Sequence, residues 1–137
     1  MTSVDDCKIV DLEIKDTLEG SSIEITGNKQ IPFQINRIYY MYGIPEGETR
    51  GDHAHENLHQ LIIVSGGSFD ILLDDGRKKK EVTLNSPEQG LLVVPGIWRN
   101  LSNFSAGVIC LVYASQTYED NIVIRDYKDF VKFKGIE

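Results

Sequence analysis

The chain has 137 residues, of which 41% are hydrophobic and 26% are charged, and its net charge at pH 7 is −7. This length and this mixture are typical of one soluble domain with a substantial core, so residues 1–137 are expected to form a single domain. The negative charge argues against a nucleic-acid partner. No apolar run approaches the ~18 residues of a transmembrane helix, so we expect no membrane partner either.

The start of the chain and its cysteine content bear on the compartment. Residues 1–6 are polar and acidic, unlike a secretion signal. The two cysteines, Cys7 and Cys110, would be enough for one disulfide bond. Without a secretion signal, two separate thiols and a cytoplasmic protein are the expectation.

In chain order, the first strand signals are two short segments and one long one. Partial or clean alternation predicts strands within residues 8–14 and 22–26, which could pair within the subunit or add to a neighbour's sheet. Residues 33–42 form a long β-branched and aromatic run, in which Arg37 and Tyr39 share one face. The pattern alone leaves open whether that face points outward or into the domain.

The middle and end of the chain continue in short elements. Residues 61–64 and 68–73 predict a hairpin around two glycines, and an Asp-Gly turn with three lysines at 78–80 predicts a hairpin tip with a solvated edge. Further strands and a short terminal helix are predicted at residues 81–84, 91–94, 108–114, 122–124 and 126–133. About nine short strands with regular turns indicate an all-β sandwich or barrel, and a jelly roll is the expected form.

Two of the three histidines, His53 and His55, stand two residues apart in the run RGDHAH at residues 50–55. On an extended strand, side chains at i and i+2 point to the same face, so two imidazoles should lie side by side. Histidine exchanges protons near neutral pH and is also the commonest metal ligand. The pair indicates proton chemistry, a metal site, or two polar side chains facing water.

The spacing around the histidines resembles the first motif of the cupin superfamily, which here runs from Gly47 through His53, His55 and Gln60 to Gly66. Metal-binding cupins carry Glu at the place of Gln60. The resemblance implies that the two imidazoles line the interior of a jelly-roll barrel.

Residues 90–99, GLLVVPGIWR, resemble the second cupin motif, in which a metal-binding His stands at the place of Arg99. A guanidinium is a permanent cation without a lone pair, and Gln60 is a weak neutral ligand. We therefore expect a cupin without metal or other cofactor, whose histidines serve acid–base chemistry.

Further segments make the resemblance more specific. Residues 31–40, 50–55, 72–76, 86–87 and 118–127 are similar to the dTDP-4-oxo-6-deoxyglucose 3,4-ketoisomerases, over roughly residues 28–133, and RGxHAH is the most specific part. This resemblance implies a homodimer that exchanges N-terminal strands within residues 8–26. It also implies a role in making 3-amino-3,6-dideoxyhexoses for surface glycans, with the product passed to a PLP-dependent aminotransferase.

Moving a ketone from C4 to C3 of a hexose needs a base at C3, an enediol, and proton delivery to C4 and to the oxygens. Groups with pKa values near the working pH serve best. We expect His53 to act as the base at carbon and His55 to assist it, although the sequence does not order them. Tyr39 is expected to act as an acid or as a hydrogen-bond donor to a substrate oxygen. The expected substrate-binding residues are Arg37, Arg50, Arg99 and Gln60.

The arginines would supply fixed positive charge for the enediolate or the diphosphate. A structural ion pair remains the alternative for each of them. Because Arg99 holds its proton, it should not deliver one to C4, and we expect the equatorial arrangement of glucose to be retained, which is the gluco product.

Two other functions remain open from the sequence. One is the epimerase branch of the sugar-nucleotide cupins, which would need a second proton-transfer group on the opposite sugar face. The other is a non-catalytic cupin that binds a sugar, against which the paired histidines argue.

Overall fold

The computed structural model describes residues 1–136. The strands are β1 (Lys8–Asp11), β2 (Ile14–Thr17), β3 (Gly20–Ile23), β4 (Arg37–Met41), β5 (Arg50–His55), β6 (Gln60–Ser65), β7 (Phe69–Asp74), β8 (Lys79–Leu84), β9 (Gln89–Val93), β10 (Trp98–Ser102), β11 (Ile109–Ala114) and β12 (Val123–Ile124). A 3₁₀ turn (Val4–Asp6) precedes them and one helix, α1 (Tyr127–Phe133), follows. The described part therefore holds twelve strands, against the nine or so that the sequence predicted, because several are only two to four residues long.

Ten of the strands form two five-stranded antiparallel sheets. One sheet has the order β1-β9-β6-β11-β4 and the other β12-β5-β10-β7-β8, while β2 and β3 pair with each other as a separate ribbon. Apart from the consecutive pair β7 and β8, neighbours within these two sheets are distant in sequence, as expected of a jelly roll. The predicted all-β class and cupin-type jelly-roll barrel with a short C-terminal helix are confirmed.

The core lies between the two sheets. Ile62 and Val64 of β6 meet Phe69, Ile71 and Leu73 of β7 in one cluster of buried side chains. At about 25 cal/mol per Å² of apolar surface buried, such a cluster is the main source of stability in a domain of this size.

The outer face of the first sheet is covered by residues 24–36. Ile31 and Phe33 from that segment pack on Leu61 and Ile63 of β6. Strand β6 is thus buried on both faces, which explains why its sequence is continuously apolar rather than alternating.

The predicted hairpin of residues 61–64 and 68–73 is wrong. Strand β6 pairs with β9 and β11, whereas β7 pairs with β8 and β10, so the two strands lie in opposite sheets. Gly66 and Gly67, with φ of 67° and 133°, carry the chain across from one sheet to the other. Two short apolar runs with a glycine turn look alike whether they pair or face each other.

Two predicted strands are shorter than expected. The strand expected at 22–26 is β3, which ends at Ile23. Beyond it, the Gln30 side chain bonds the backbone N–H of Thr26 and the carbonyl of Glu24, so a side chain satisfies the backbone there. The run at 33–42 is paired only over Arg37–Met41.

The C-terminal helix is confirmed. Asp126 is its N-cap, accepting hydrogen bonds from the backbone N–H groups of Lys128 and Asp129. Phe130 is fully buried against Trp98 of β10.

Both cysteines are buried free thiols, as predicted. Among residues 1–136, no helix has the length and apolar character needed to cross a bilayer.

Candidate active site

A cavity of about 300 Å³ opens between the two sheets. It brings together all seven residues proposed from the sequence: Arg37, Tyr39, Arg50, His53, His55, Gln60 and Arg99. Strands β4, β5, β6 and β10 supply them, from both sheets. The face of β4 that carries Arg37 and Tyr39 therefore points into the barrel, while Ile38 and Tyr40 on the other face are exposed.

A β-bulge in β5 places Arg50 in this cavity. Arg99 pairs with His53 but the next residue of β10 pairs with Gly51, so Asp52 is an extra residue in the ladder. Arg50 and His53 are three residues apart and would face opposite sides of a regular strand. The extra residue restores them to the same side, and both line the cavity.

The bulge depends on a glycine. Gly51 has φ of 100°, and a Cβ there would stand 2.8 Å from the carbonyl oxygen of Arg99. Asp52, with φ of 56°, turns away from the cavity and accepts a hydrogen bond of 2.9 Å from Nδ2 of Asn100. Close backbone approach and a left-handed conformation together explain the glycine.

The two histidines are in direct contact. Their Nε2 atoms are 3.0 Å apart, and the rings are nearly perpendicular at 86°. Nδ1 of His55 is 2.8 Å from Oδ1 of Asn121, which lies in the connection between β11 and β12. The expected side-by-side placement of the two imidazoles is confirmed, and Asn121 is a further partner that the sequence did not predict.

Both imidazoles are held in their neutral form. Burial first, and then the positive charge of Arg99, lowers the pKa of His53 to about 4. The same two causes, with the neighbouring His53 as the third, lower the pKa of His55 to about 3. Neutral imidazoles at pH 7 can accept a proton from a substrate.

A hydrogen-bonded chain joins the second cupin motif to Tyr39. Arg99, 2% exposed, donates to the Gln60 side-chain oxygen and to the carbonyl of Ile97. Gln60 in turn donates from Nε2 to the hydroxyl of Tyr39 at 3.3 Å. Arg99 and Gln60 thus form a buried wall of the cavity, and among residues 1–136 no carboxylate forms an ion pair with Arg99.

Tyr39 keeps its proton at neutral pH. Burial raises the pKa of the phenol, against the lowering effect of the Arg99 charge. Because the hydroxyl oxygen accepts from Gln60, its hydrogen remains available to a ligand oxygen.

The mouth of the cavity is cationic. The Arg37 guanidinium lies over the rings of Tyr39 and Tyr118, at 4.6 and 5.2 Å from their centroids. Arg50 and Arg125 also line the opening. The described lining includes no carboxylate, which suits an anionic ligand even though the whole chain is acidic.

Tyr118, Asn121 and Arg125 were not predicted as site residues. They lie in or next to the connection between β11 and β12, which has no periodic pattern. The only signal in the sequence was their place within residues 118–127, one of the segments of family resemblance.

Comparisons with known proteins show which family and which relatives the chain resembles. Residues 5–135 match the model of the family described as FdtA: WxcM-like, C-terminal. A TDP-4-oxo-6-deoxy-alpha-D-glucose-3,4-oxoisomerase of Aneurinibacillus thermoaerophilus is 41% identical over 114 residues, 83% of this chain and 82% of that protein.

Solved structures of similar overall fold were also found. A 3,4-ketoisomerase from Helicobacter canadensis superimposes with a TM-score of 0.91 and 42% identity, covering 95% of this chain and 98% of the other. The WlaRB TDP-quinovose 3,4-ketoisomerase of Campylobacter jejuni gives 0.88 and 40%, covering 93% and 98%.

Proposed function

The chain belongs to the FdtA family of WxcM-like, C-terminal proteins, and from this premise we propose that it is an isomerase converting TDP-4-oxo-6-deoxyglucose into a TDP-3-oxo-6-deoxyhexose. The observation that carries the proposal is the contact of two neutral imidazoles, His53 and His55, inside a cationic cavity. The named relative at 41% identity is an oxoisomerase of this sugar nucleotide. The reaction needs only proton transfers, because one hydrogen is lost from C3 and one is gained at C4.

In the first step, His53 removes the proton at C3, and the electrons of that C–H bond form the C3=C4 double bond of an enediolate. The charge develops on O4, where the Tyr39 hydroxyl donates a hydrogen bond. Arg99 adds a positive charge that stabilises the anion within a site of low dielectric constant. His55 shares the proton that His53 has gained.

In the second step, the proton on O3 passes to O4, and the electron pair left on O3 forms the carbonyl bond at C3. The electrons of the C3=C4 double bond take up a solvent proton at C4 on the face away from the histidines, and the histidine pair releases its proton to solvent. No atom is gained or lost overall, and the two histidines return to their neutral state.

The mouth of the cavity binds the nucleotide part of the substrate. Arg37, Arg50 and Arg125 face the diphosphate, whose charge they match. Stacking on two tyrosine rings holds Arg37 in place. Gln60 fixes the guanidinium of Arg99 and the hydroxyl of Tyr39 relative to the sugar.

The proposed product has the gluco configuration at C4, which is that of the quinovose in the name of the relative from Campylobacter jejuni at 40% identity. It would be passed to a PLP-dependent 3-aminotransferase and used for a surface glycan. No metal takes part in the proposed reaction, because the donors in the cavity are two imidazoles beside a buried guanidinium.

The active form is proposed to be a homodimer that exchanges strands within residues 8–26. In this single chain β1 pairs with β9, whereas β2 and β3 pair only with each other among the described strands. Edge strand β4 leaves Ile38 and Tyr40 exposed on its outer face. A partner's ribbon placed there would cover this apolar surface.

The function is tested by incubation with TDP-4-oxo-6-deoxyglucose in D₂O with a 3-aminotransferase to trap the product, followed by NMR. Ketone migration with deuterium at C4 supports the isomerase, because C4 gains a hydrogen only when the ketone moves to C3. Deuterium at C3 and C5 would indicate an epimerase, and no exchange would indicate a binding module; either result refutes the proposal.

A further inference from the structure

Asn121 reaches the back of the histidine pair from outside the cupin motifs. Strand β12 pairs with β5 so that Val123 lies opposite His55. The backbone N–H of Glu56 donates to the carbonyl of Ile122 at 3.0 Å. This hydrogen bond holds the connection between β11 and β12 next to β5. Asn121 is thereby placed with its Oδ1 2.8 Å from Nδ1 of His55.

This contact fixes the hydrogen positions on His55. An amide oxygen has lone pairs and no proton, so Nδ1 of His55 must be the donor. A neutral imidazole carries one N–H, so its Nε2 is then a bare acceptor. That acceptor lies 3.0 Å from Nε2 of His53.

We propose that Asn121 is a positioning residue that fixes the Nδ1–H tautomer of His55 and so keeps the His55 Nε2 lone pair directed at His53. The proposal rests on the proposed function and orders the two histidines, which the sequence did not. His53 is the base at carbon, and His55 is the acceptor that shares its proton.

The roles of the two histidines follow from the positions of the protons on their rings. When His53 takes the proton from C3 it becomes an imidazolium with a hydrogen on Nε2, whichever ring nitrogen received the proton. That hydrogen is bonded by the His55 lone pair only while Nδ1 of His55 keeps its own hydrogen on Asn121. With the opposite tautomer, two N–H groups would face each other and the imidazolium would be destabilised.

The tautomer is measured directly by ¹⁵N NMR of histidine-labelled protein. The chain has three histidines, so His53→Asn and His59→Asn variants assign the His55 signals by elimination. The expected spectrum at pH 7 shows a protonated Nδ1 and a bare Nε2 for His55. A protonated Nε2 on His55 would overturn the proposal, and this readout needs no substrate.

Two substitutions separate tautomer control from packing. Asn121→Ala should populate the other tautomer and lower kcat by about tenfold or more, with KM changed by less than about threefold. Asn121→Asp keeps an acceptor for Nδ1 and adds a negative charge, so it should preserve the tautomer and move the acid limb of kcat to higher pH by about one unit or more.

The matched control is Asp120→Asn, in the same loop, because Asp120 is exposed and bonds Thr117 rather than a histidine. It should leave the tautomer, kcat and the acid limb unchanged. A folded Asn121→Ala variant with the parent's kcat would refute the proposal, as would an Asn121→Asp variant with an unshifted acid limb. If the parent itself lacks isomerase activity, the proposed function fails while the NMR result still tests the tautomer.

Discussion

His53 and Arg99 are direct partners across the β5–β10 pairing, so an imidazole and a buried guanidinium lie side by side on the cavity wall. After burial, the charge of Arg99 is the strongest influence that lowers the pKa values of both cavity histidines. The same charge favours an anion in the cavity. One cation thus keeps the base free of protons and stabilises the enediolate that the base would create.

The histidine substitutions test the acid–base assignment. His53→Asn and His55→Asn should each lower turnover by about a hundredfold or more, the usual value of a positioned acid or base. His59→Asn is the control, because His59 packs on Phe33 outside the cavity. If both cavity variants fold and keep near-parental turnover, the assignment is wrong.

The pH dependence follows from the lowered pKa values. Catalysis needs a neutral pair, and burial with Arg99 lowers the pKa values of His53 and His55 to about 4 and about 3. The acid limb of kcat/KM should therefore lie near pH 4, well below the ~6.5 of a free imidazole. A limb near pH 6.5 would show that the histidines are not held neutral.

The same shifts affect stability. The unfolded chain binds protons at these histidines below about pH 6.5, before the folded chain does, so the free energy of unfolding should fall as the pH decreases from about 6.5 to 4. Urea unfolding across this range, compared with His55→Asn, measures that loss. If the free energy of unfolding of His55→Asn falls with pH as steeply as that of the parent, the prediction is wrong.

Metal independence is expected from the donors present. In the part of the chain that is described, no cluster of three or more His, Cys, Asp or Glu side chains is placed to hold an ion. Activity should survive exhaustive chelation, and elemental analysis should find less than about one equivalent of any transition metal. Chelator-sensitive activity that one metal restores would contradict the prediction.

The stereochemical prediction depends on Arg99. Burial lowers the pKa of its guanidinium to about 10, so it remains protonated at the working pH and is a poor proton donor. Return of the proton from the histidine face that deprotonated C3 would set H3 and H4 on the same face of the ring, which is the galacto arrangement. Because Arg99 does not deliver a proton either, the proposed gluco product takes its C4 hydrogen from solvent on the opposite face. A large H3–H4 coupling in the amino sugar trapped in H₂O supports the gluco product, and a small coupling means galacto and contradicts the prediction.

The bulge in β5 can be tested at Gly51. Gly51→Ala should destabilise the fold by about 1–3 kcal/mol, because φ is 100° and the new Cβ would meet the Arg99 carbonyl. Turnover should fall as well, since Arg50 and His53 would lose their common side. Gly47→Ala is the control, because Gly47 also has positive φ but open space around it. Equal unfolding energies and turnover for the two variants would contradict the role of the bulge.

The sequence by itself determined the features that depend on local pattern. Alternation at period two gave the all-β class, and the one-residue gap between His53 and His55 placed both imidazoles on one face. Gln60 and Arg99 at the two cupin positions indicated acid–base chemistry rather than a metal site. These conclusions needed no knowledge of which strands pair.

Only the tertiary structure decided the strand partners and what they bring together. The prediction of a hairpin around Gly66 was wrong, because packing across the whole barrel, and not the turn, determines which strands β6 and β7 pair with. The bulge that turns Arg50 inward depends on a close approach to β10. Asn121 meets His55 across 66 positions of chain, and no local periodicity encodes such a contact, because its geometry is set by long-range packing.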